Sequence, residues 1–247
     1  MVNGIYTATG GMMPRIVQID NVANNLANVS THGYKKSSIF LRQLITAQKA
    51  LDHAMGIEGT DKPEDVWKDF SQGTFDKTEN LFDIALNGPG FFRVRGSDGS
   101  MHYTRDGQFH LDHNGVIVNS DGMSLLDNTY NLILVDGDEI NIMANGDVYT
   151  DGELTTTIGL ADFAPGDYQA LSDIGHGLFE KPQAVNETFT NPETRFYQGY
   201  LEDANVEPVR AMVDMIEIFR AYELGQKAVQ IQDQTLQRVV TELGTVR

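Results

Sequence analysis

Apolar residues recur at two helical spacings, one at each end of the chain. In the C-terminal stretch from Asn205 to Leu243, Met215, Ile218, Tyr222, Val229, Leu236, Val239 and Leu243 alternate at steps of three and four, and Gly225 and Gln232 fill the vacant seats. That spacing predicts one long helix with a heptad seam. Asn205 is placed to cap its start, Pro208 falls in the first turn, where a missing N–H costs nothing, and Gly244 stands where a helix stops. Glu217–Arg220 and Glu223–Lys227 decorate the other faces at i, i+3 and i, i+4. A helix of some 40 residues is about 60 Å long, so the pattern calls for partner helices. An ordinary bundle helix in a soluble protein fits the same stripe.

The N-terminal stretch carries a matching seam of Ile5, Met12, Ile16, Ile19, Ala23 and Leu26, with Thr9 in the polar seat. Pro14 conflicts with it, because proline removes the bond to Gly10 and clashes there. The expectation is a kink or break near Gly10–Pro14 and a firmer helix from Pro14 to Asn28. Two ends with compatible seams suggest that they pair. The fold class expected is therefore α+β, with N- and C-terminal helices paired as a coiled-coil-like bundle flanking an inserted antiparallel all-β domain.

Between the ends the periodicity changes. Residues 37–75 read as a connecting segment: Ser38 to His53 weakly helical, Gly56 to Asp65 a loop or extended arm, and Trp67 a local packing anchor. From about residue 76 to 202, short β-rich runs are separated by Asn-Gly or Asp-Gly pairs at 87, 98, 106, 114, 121, 136, 145 and 151, which suit type I′ hairpins. Phe109 and Leu111 alternate with His110 and Asp112 as inward and outward residues of one strand. The domains expected are 1–36 with 203–247, a 37–75 connector, and a β-rich 76–202.

Around the end of the first helix stand Asn24, Asn25, Leu26, Ala27, Asn28, Thr31, Gly33 and Tyr34. Asparagine is a weak helix former. One reading is a frayed helix end with Gly33 at positive φ; the other is that the amides bond neighbouring helices or backbone at a fixed register.

This run, Asn-Asn-Leu-Ala-Asn-Val-x-Thr-x-Gly-Tyr-Lys, resembles the N-terminal signature of the bacterial flagellar rod and hook family. Asn205-Val206, Met212-Val213, Arg220-Ala221-Tyr222-Glu223 and Asp233 resemble its C-terminal helix. Gly90-Phe91-Phe92-Arg93-Val94, Tyr103-Thr104-Arg105-Asp106-Gly107 and Gly115-Val116-Ile117-Val118 are similar to its globular part. Ala204 departs from a frequent Ser, and Pro14 interrupts the first helix. The resemblance implies a structural, non-enzymatic subunit of the basal-body rod that polymerises through its terminal helices. It also implies export through the flagellar type III channel and a place across the periplasm. Partners would be copies of itself, neighbouring axial proteins and the export apparatus. The short length and the opening Gly4-Ile5-Tyr6-Thr7-Ala8 lean toward a proximal-rod type, with distal rod and hook as alternatives. The assembly interface implied is the two seams with the Asn-rich run: Ile5, Met12, Ile16, Ile19, Ala23, Asn24, Asn25, Leu26, Ala27, Asn28, Thr31, Gly33, Tyr34, Met215, Ile218, Tyr222, Val229, Leu236, Val239 and Leu243.

Composition narrows the partners further. The net charge of −17 argues against nucleic acid or an anionic membrane, both of which need basic patches. Zero cysteines leave no disulfide framework or thiolate metal site. No basic n-region opens the chain, and Gly4, Gly10 and Gly11 break any apolar run, so no cleaved signal peptide is expected. Gly88-Pro89-Gly90 has Arg93 where a dinucleotide loop needs its third glycine. His110 and His113 lack a third ligand. No cofactor and no small-molecule substrate are expected. The alternative from another class is a secreted carbohydrate-binding or hydrolytic β protein with a coiled-coil oligomerisation tail, which would need aromatic platforms or converging carboxylates.

Overall fold

A computed structural model describes residues 2–42, 62–137, 139–189 and 194–244. The chain is α+β and divides into two units, one containing residues 1–27, 37–68 and 207–247, the other residues 28–36 and 69–206.

Among the described residues the first unit holds two helices, α1 (Val2–Ala27) and α2 (Pro208–Gly244), which pack against each other. α1 runs through Pro14, so of the expected kink or break the break does not occur. Pro14 is buried, so its ring adds packing that offsets the lost backbone bond. The run from Ser38, expected to be weakly helical, is instead a strand as far as it is described: Ser37–Arg42 pairs antiparallel with Lys62–Lys68. Phe40, Leu41 and their neighbours lack a clear helical stripe, and a long-range partner decides for the ladder. The register shifts between Phe40 and Leu41 opposite Pro63, which has no N–H to give a ladder. The remainder of the stretch expected to be helical, and most of the expected arm, lie outside the described residues. Trp67, expected as a local packing anchor, lies on this ladder and is 40% exposed. Phe70 packs in the second unit.

That unit is built on antiparallel strands. Its nine-stranded sheet runs, edge to edge, Ser172–Gly175, Leu178–Glu180, Met101–Thr104, Phe91–Arg95, Ser124–Leu125, Ile117–Asn119 and Phe109–Leu111, with Leu160–Asp162 joining Phe91–Arg95 to Thr188–Phe189. A three-stranded sheet follows over Ile140–Ile142, Asp147–Thr150 and Glu153–Thr157. Two short ladders pair Phe75–Lys77 with Tyr200–Glu202 and Ile84–Asn87 with Arg195–Gln198. Phe91 and Phe92 point to opposite faces of one strand, and both faces are covered. Phe92 and Val94 join an aliphatic core with Leu86, Ile117, Leu125 and Ile158. Phe91 joins an aromatic cluster with Tyr103, Phe163 and Phe179. Phe70 packs into that cluster, its ring centroid 5.7 Å from Phe91 and 5.5 Å from Phe179.

The turns differ from the type expected. Of the expected Asn-Gly and Asp-Gly pairs only Asp151 and Gly152 both take positive φ, at 51° and 85°, as a type I′ hairpin requires; His176 and Gly177 do so too, at 55° and 70°. At four of the other pairs, those at 98, 114, 121 and 145, the loop is one residue longer. At Asp112, for example, the N–H donates to Val116 O at 2.9 Å and Gly115 N–H donates back to Asp112 O at 3.2 Å, with Gly115 at φ 75°. This is a type I turn followed by a left-handed residue. The same pattern recurs from Asn119, where Oδ1 also accepts from the Asp121 and Met123 amides, and from Met143, with Gly146 at φ 93°. In these loops Asn or Asp precedes a left-handed glycine, whereas Tyr130 takes that position at φ 65° in the like-bonded loop from Asp127 to Asn131.

Candidate functional site

Along α2, from Pro208 to Arg238, the partly buried positions are Ala211, Met215, Ile218, Tyr222, Gly225, Val229, Gln232 and Leu236, and every other position is exposed. The heptad stripe read from sequence is therefore the stripe the subunit shields. At its middle a Cβ on Gly225 would stand 2.9 Å from Met12 Cγ and 3.3 Å from its Sδ, so the missing side chain admits the thioether. On α1, Met12, Ile19 and Leu26 are partly buried, whereas Ile16 and Ala23 are exposed. α1 also meets the two-stranded ladder, which turns its shielded face toward Pro14 and Asn25. The side chains of Ile5, Val239 and Leu243 lie outside the described set.

Of the three asparagines in the run, Asn24 is exposed, Asn28 is partly buried and Asn25 is buried, while neighbouring Ala27 is exposed. Asn25 Oδ1 accepts from Ser37 N–H at 2.8 Å and its Nδ2 donates to Ser37 O at 2.7 Å. One amide thus satisfies both backbone groups of one residue, the second of the two readings given to these amides. Asn28 anchors the turn that follows, its carbonyl accepting from Thr31 N–H at 3.1 Å.

Beyond the helix the run enters the second unit. Gly33 has φ 68°, and its N–H donates to Glu202 O at 2.7 Å. A Cβ there would lie 2.3 Å from Asp106 N and 2.4 Å from Arg105 C, so glycine is required both by φ and by space. Tyr34 is buried. Lys35 Nζ donates to Glu202 Oε1 at 2.6 Å and to Ser71 O at 2.8 Å. Glu202 Oε1 also accepts from Gly73 N–H at 2.9 Å, and Oε2 accepts from Arg105 Nη1 at 3.3 Å. Arg105 Nη2 reaches Gly88 O at 2.8 Å, and its guanidinium stacks 5.4 Å from the centre of the Phe91 ring. Burial pulls the Lys35 ammonium below its ordinary range, against the opposing pull of the Glu202 carboxylate.

Asn205 does not cap α2. Its Oδ1 accepts from Lys36 N–H at 2.7 Å, and its Nδ2 donates to Asp69 O at 2.7 Å. The helix starts at Pro208, and a tertiary partner has outcompeted the local cap. Sequence reasoning singled out neither Glu202 nor the buried role of Arg105, although Arg105 stood in a quoted motif. His110 and His113 are both exposed, and among the described residues no three His, Asp or Glu side chains cluster as metal ligands.

Three regions of the chain match models of flagellar proteins. Residues 5–35 match the flagella basal body rod protein model, residues 85–157 the flagellar hook protein FlgE/F/G D1 domain, and residues 197–242 the flagellar basal body rod FlgEFG protein C-terminal model. The basal-body rod protein FlgG of Buchnera aphidicola from Schizaphis graminum is 33% identical over 97% of this chain and 99% of its own length. The chain belongs to the flagellar basal-body rod family. FlgF of Caulobacter vibrioides is 31% identical over the full length of both chains, and FlgG of Bacillus subtilis is 30% identical over 97% of this chain. The protein is a structural subunit of the bacterial flagellar basal-body rod, and the carbohydrate alternative finds no support among these relatives. The buried charges take one residue from each matched region: Lys35, Arg105 and Glu202.

Proposed function

We propose that this rod subunit polymerises through α1 and α2, paired as a coiled-coil-like bundle, into an axial shaft whose wall is thickened by the β unit. The observation that carries the reading is a second apolar stripe on α2. Val209, Met212, Val213, Ile216 and Phe219 are 46–75% exposed beside the seam that α1 covers. A row of large apolar side chains with no use inside the subunit marks an interaction face. The partners that fit are other copies of the chain and neighbouring axial proteins. The seams and the Asn-rich run supply the assembly interface, with residues 1–36 and 203–247 as the axial part, 37–75 as connector and 76–202 outward. Travel through the type III export apparatus, a place across the periplasm and the absence of catalysis complete the reading. The length and the opening residues favour a proximal-rod type.

The test places a carboxylate on the exposed stripe. Ile216→Asp and Phe219→Asp cost the isolated subunit little, because both side chains already meet water. In an assembled shaft each carboxylate is desolvated and unpaired, at a cost of several kcal/mol. Expected are an unchanged thermal melt of the purified subunit and cells without filaments, with Leu236→Asp also blocking incorporation and exposed His110→Ala assembling normally. Swimming at the wild-type level by the Ile216→Asp and Phe219→Asp strains overturns the reading.

A further inference from the structure

We infer that Met13 and Met212 are sites of reversible sulfoxidation that switch the exposed helix surface from associating to non-associating; the switch rests on the assembly reading above. The chain has no cysteine, so thioethers are its only sulfur groups. Each helix carries one open and one shielded thioether. Met13 is 65% exposed and Met212 is 50% exposed. Met12, next in sequence to one, and Met215, one turn from the other, are partly buried in the seam, and Met12 sits against Gly225. Oxidation of methionine follows access to the sulfur.

The chemistry needs a peroxide and nothing else. A sulfur lone pair attacks one peroxide oxygen, the S–O bond forms as the O–O bond breaks, and the departing hydroxide takes a proton to become water. The sulfur loses two electrons and the peroxide gains them. The product replaces an apolar, flexible group by a strongly polar S=O. At Met212 that dipole lies among Val209, Val213, Ile216 and Phe219, in the middle of the exposed stripe. The occupant of that stripe is a second copy of this chain, since the protein is a structural rod subunit and the stripe lies beside a helix seam that already accepts a helix. Burying a sulfoxide there without a donor carries the penalty of any unpaired polar group. Within the single subunit the same groups stay in water, so its fold is untouched.

The experiment treats the full-length purified chain with hydrogen peroxide, follows each methionine by peptide mass spectrometry and measures self-association by sedimentation. Met13 and Met212 should gain oxygen about tenfold faster than Met12 and Met215, as access dictates. Association should be lost in step, and methionine sulfoxide reductases of both stereospecificities, with a dithiol that is oxidised to its disulfide as the sulfoxide oxygen leaves as water, should restore it. A Met13→Leu, Met212→Leu chain should keep in peroxide the association it shows untreated, although exposed Met143 still oxidises. Equal rates at all four helix methionines, undiminished association of the oxidised wild type, or peroxide sensitivity of the double-leucine chain each overturns the inference. Failure of the untreated wild type to associate instead counts against the assembly reading, and the order of oxidation rates still judges the site assignment.

Discussion

Lys35 and Glu202 form an ion pair at 2.6 Å in which neither side chain is more than 1% exposed. A buried pair gains little over a well-packed apolar substitute, but breaking one is costly, because the surviving charge is stranded. Glu202 faces two cations, so its loss strands both.

Glu202→Ala should therefore lower the stability of the β unit by about 3–5 kcal/mol. Lys35→Met leaves Glu202 paired with Arg105 and bonded to Gly73 N–H, and should cost about 1–2 kcal/mol. Chemical denaturation of the two variants side by side checks the order; an equal or reversed ranking would show that Glu202 is not the hub.

Two glycines with similar backbone angles should respond differently to alanine. Gly33 and Gly122 have φ of 68° and 77°, but a Cβ on Gly33 meets the backbone of Arg105 and Asp106, and one on Gly122 meets nothing within 4 Å. Gly122→Ala pays only the left-handed penalty of about 1 kcal/mol. Gly33→Ala must also displace backbone, at about 3 kcal/mol or more. Melting temperatures of the pair separate the two effects.

Gly225 tests the packing of α1 on α2. Alanine there gains about 1 kcal/mol of helix propensity, and the flexible Met12 thioether can shift by a few tenths of an ångström, so the net change should be near zero. Leucine has no such room. Hydrogen exchange of Gly225→Leu should show loss of protection over residues 12–26 while the β-sheet amides keep theirs. Retained protection in α1 would mean that the helices do not meet at this glycine.

Alkaline pH should weaken the β unit through two tyrosines. Burial, then a bond to Glu187, raises Tyr103, and burial, then a bond to Asp162, raises Tyr168. Above about pH 10 the unfolded chain ionises its tyrosines while these two stay protonated. The folded state then holds more protons, so stability falls as pH rises. Between about pH 8 and 11 the wild type should lose about 5 °C of melting temperature relative to Tyr103→Phe, Tyr168→Phe. Parallel melting curves across that range would place both hydroxyls in water.

The heptad seam of α2 was legible because helix packing is periodic: seven seats from Met215 to Leu236 follow from spacing alone. The strands of the β unit were legible from the turn residues between them, though loop length was not. Asn114-Gly115 looks the same in a two-residue and a three-residue loop, and what distinguishes them is the Asp112 carboxylate receiving the Asn114 and Val116 amides. The charge cluster stayed hidden for a different reason. Lys35 and Glu202 are 167 residues apart, and in a chain this acidic nothing local distinguishes Glu202 from a solvated glutamate. Asn205 misled in the same way, since a cap is a local rule and its partners lie at Lys36 and Asp69. The Asn-rich run was read for assembly, yet Asn25, Gly33 and Tyr34 are buried within the subunit, and the surface stripe at Ile216 and Phe219 drew no notice because the seam beside it was more regular.

The two short ladders join the beginning of the β unit to its end: Phe75–Lys77 pairs with Tyr200–Glu202, and Ile84–Asn87 with Arg195–Gln198. A ribosome delivers these partners more than 100 residues apart, at about 5–20 residues per second. For at least several seconds of synthesis the early strands have nothing to pair with, and Gly33 and Lys35 have no Glu202 to meet. Closing so long a loop also lies at the slow end of folding. A nascent chain of this design keeps both ladders unpaired until about four-fifths of it has been made.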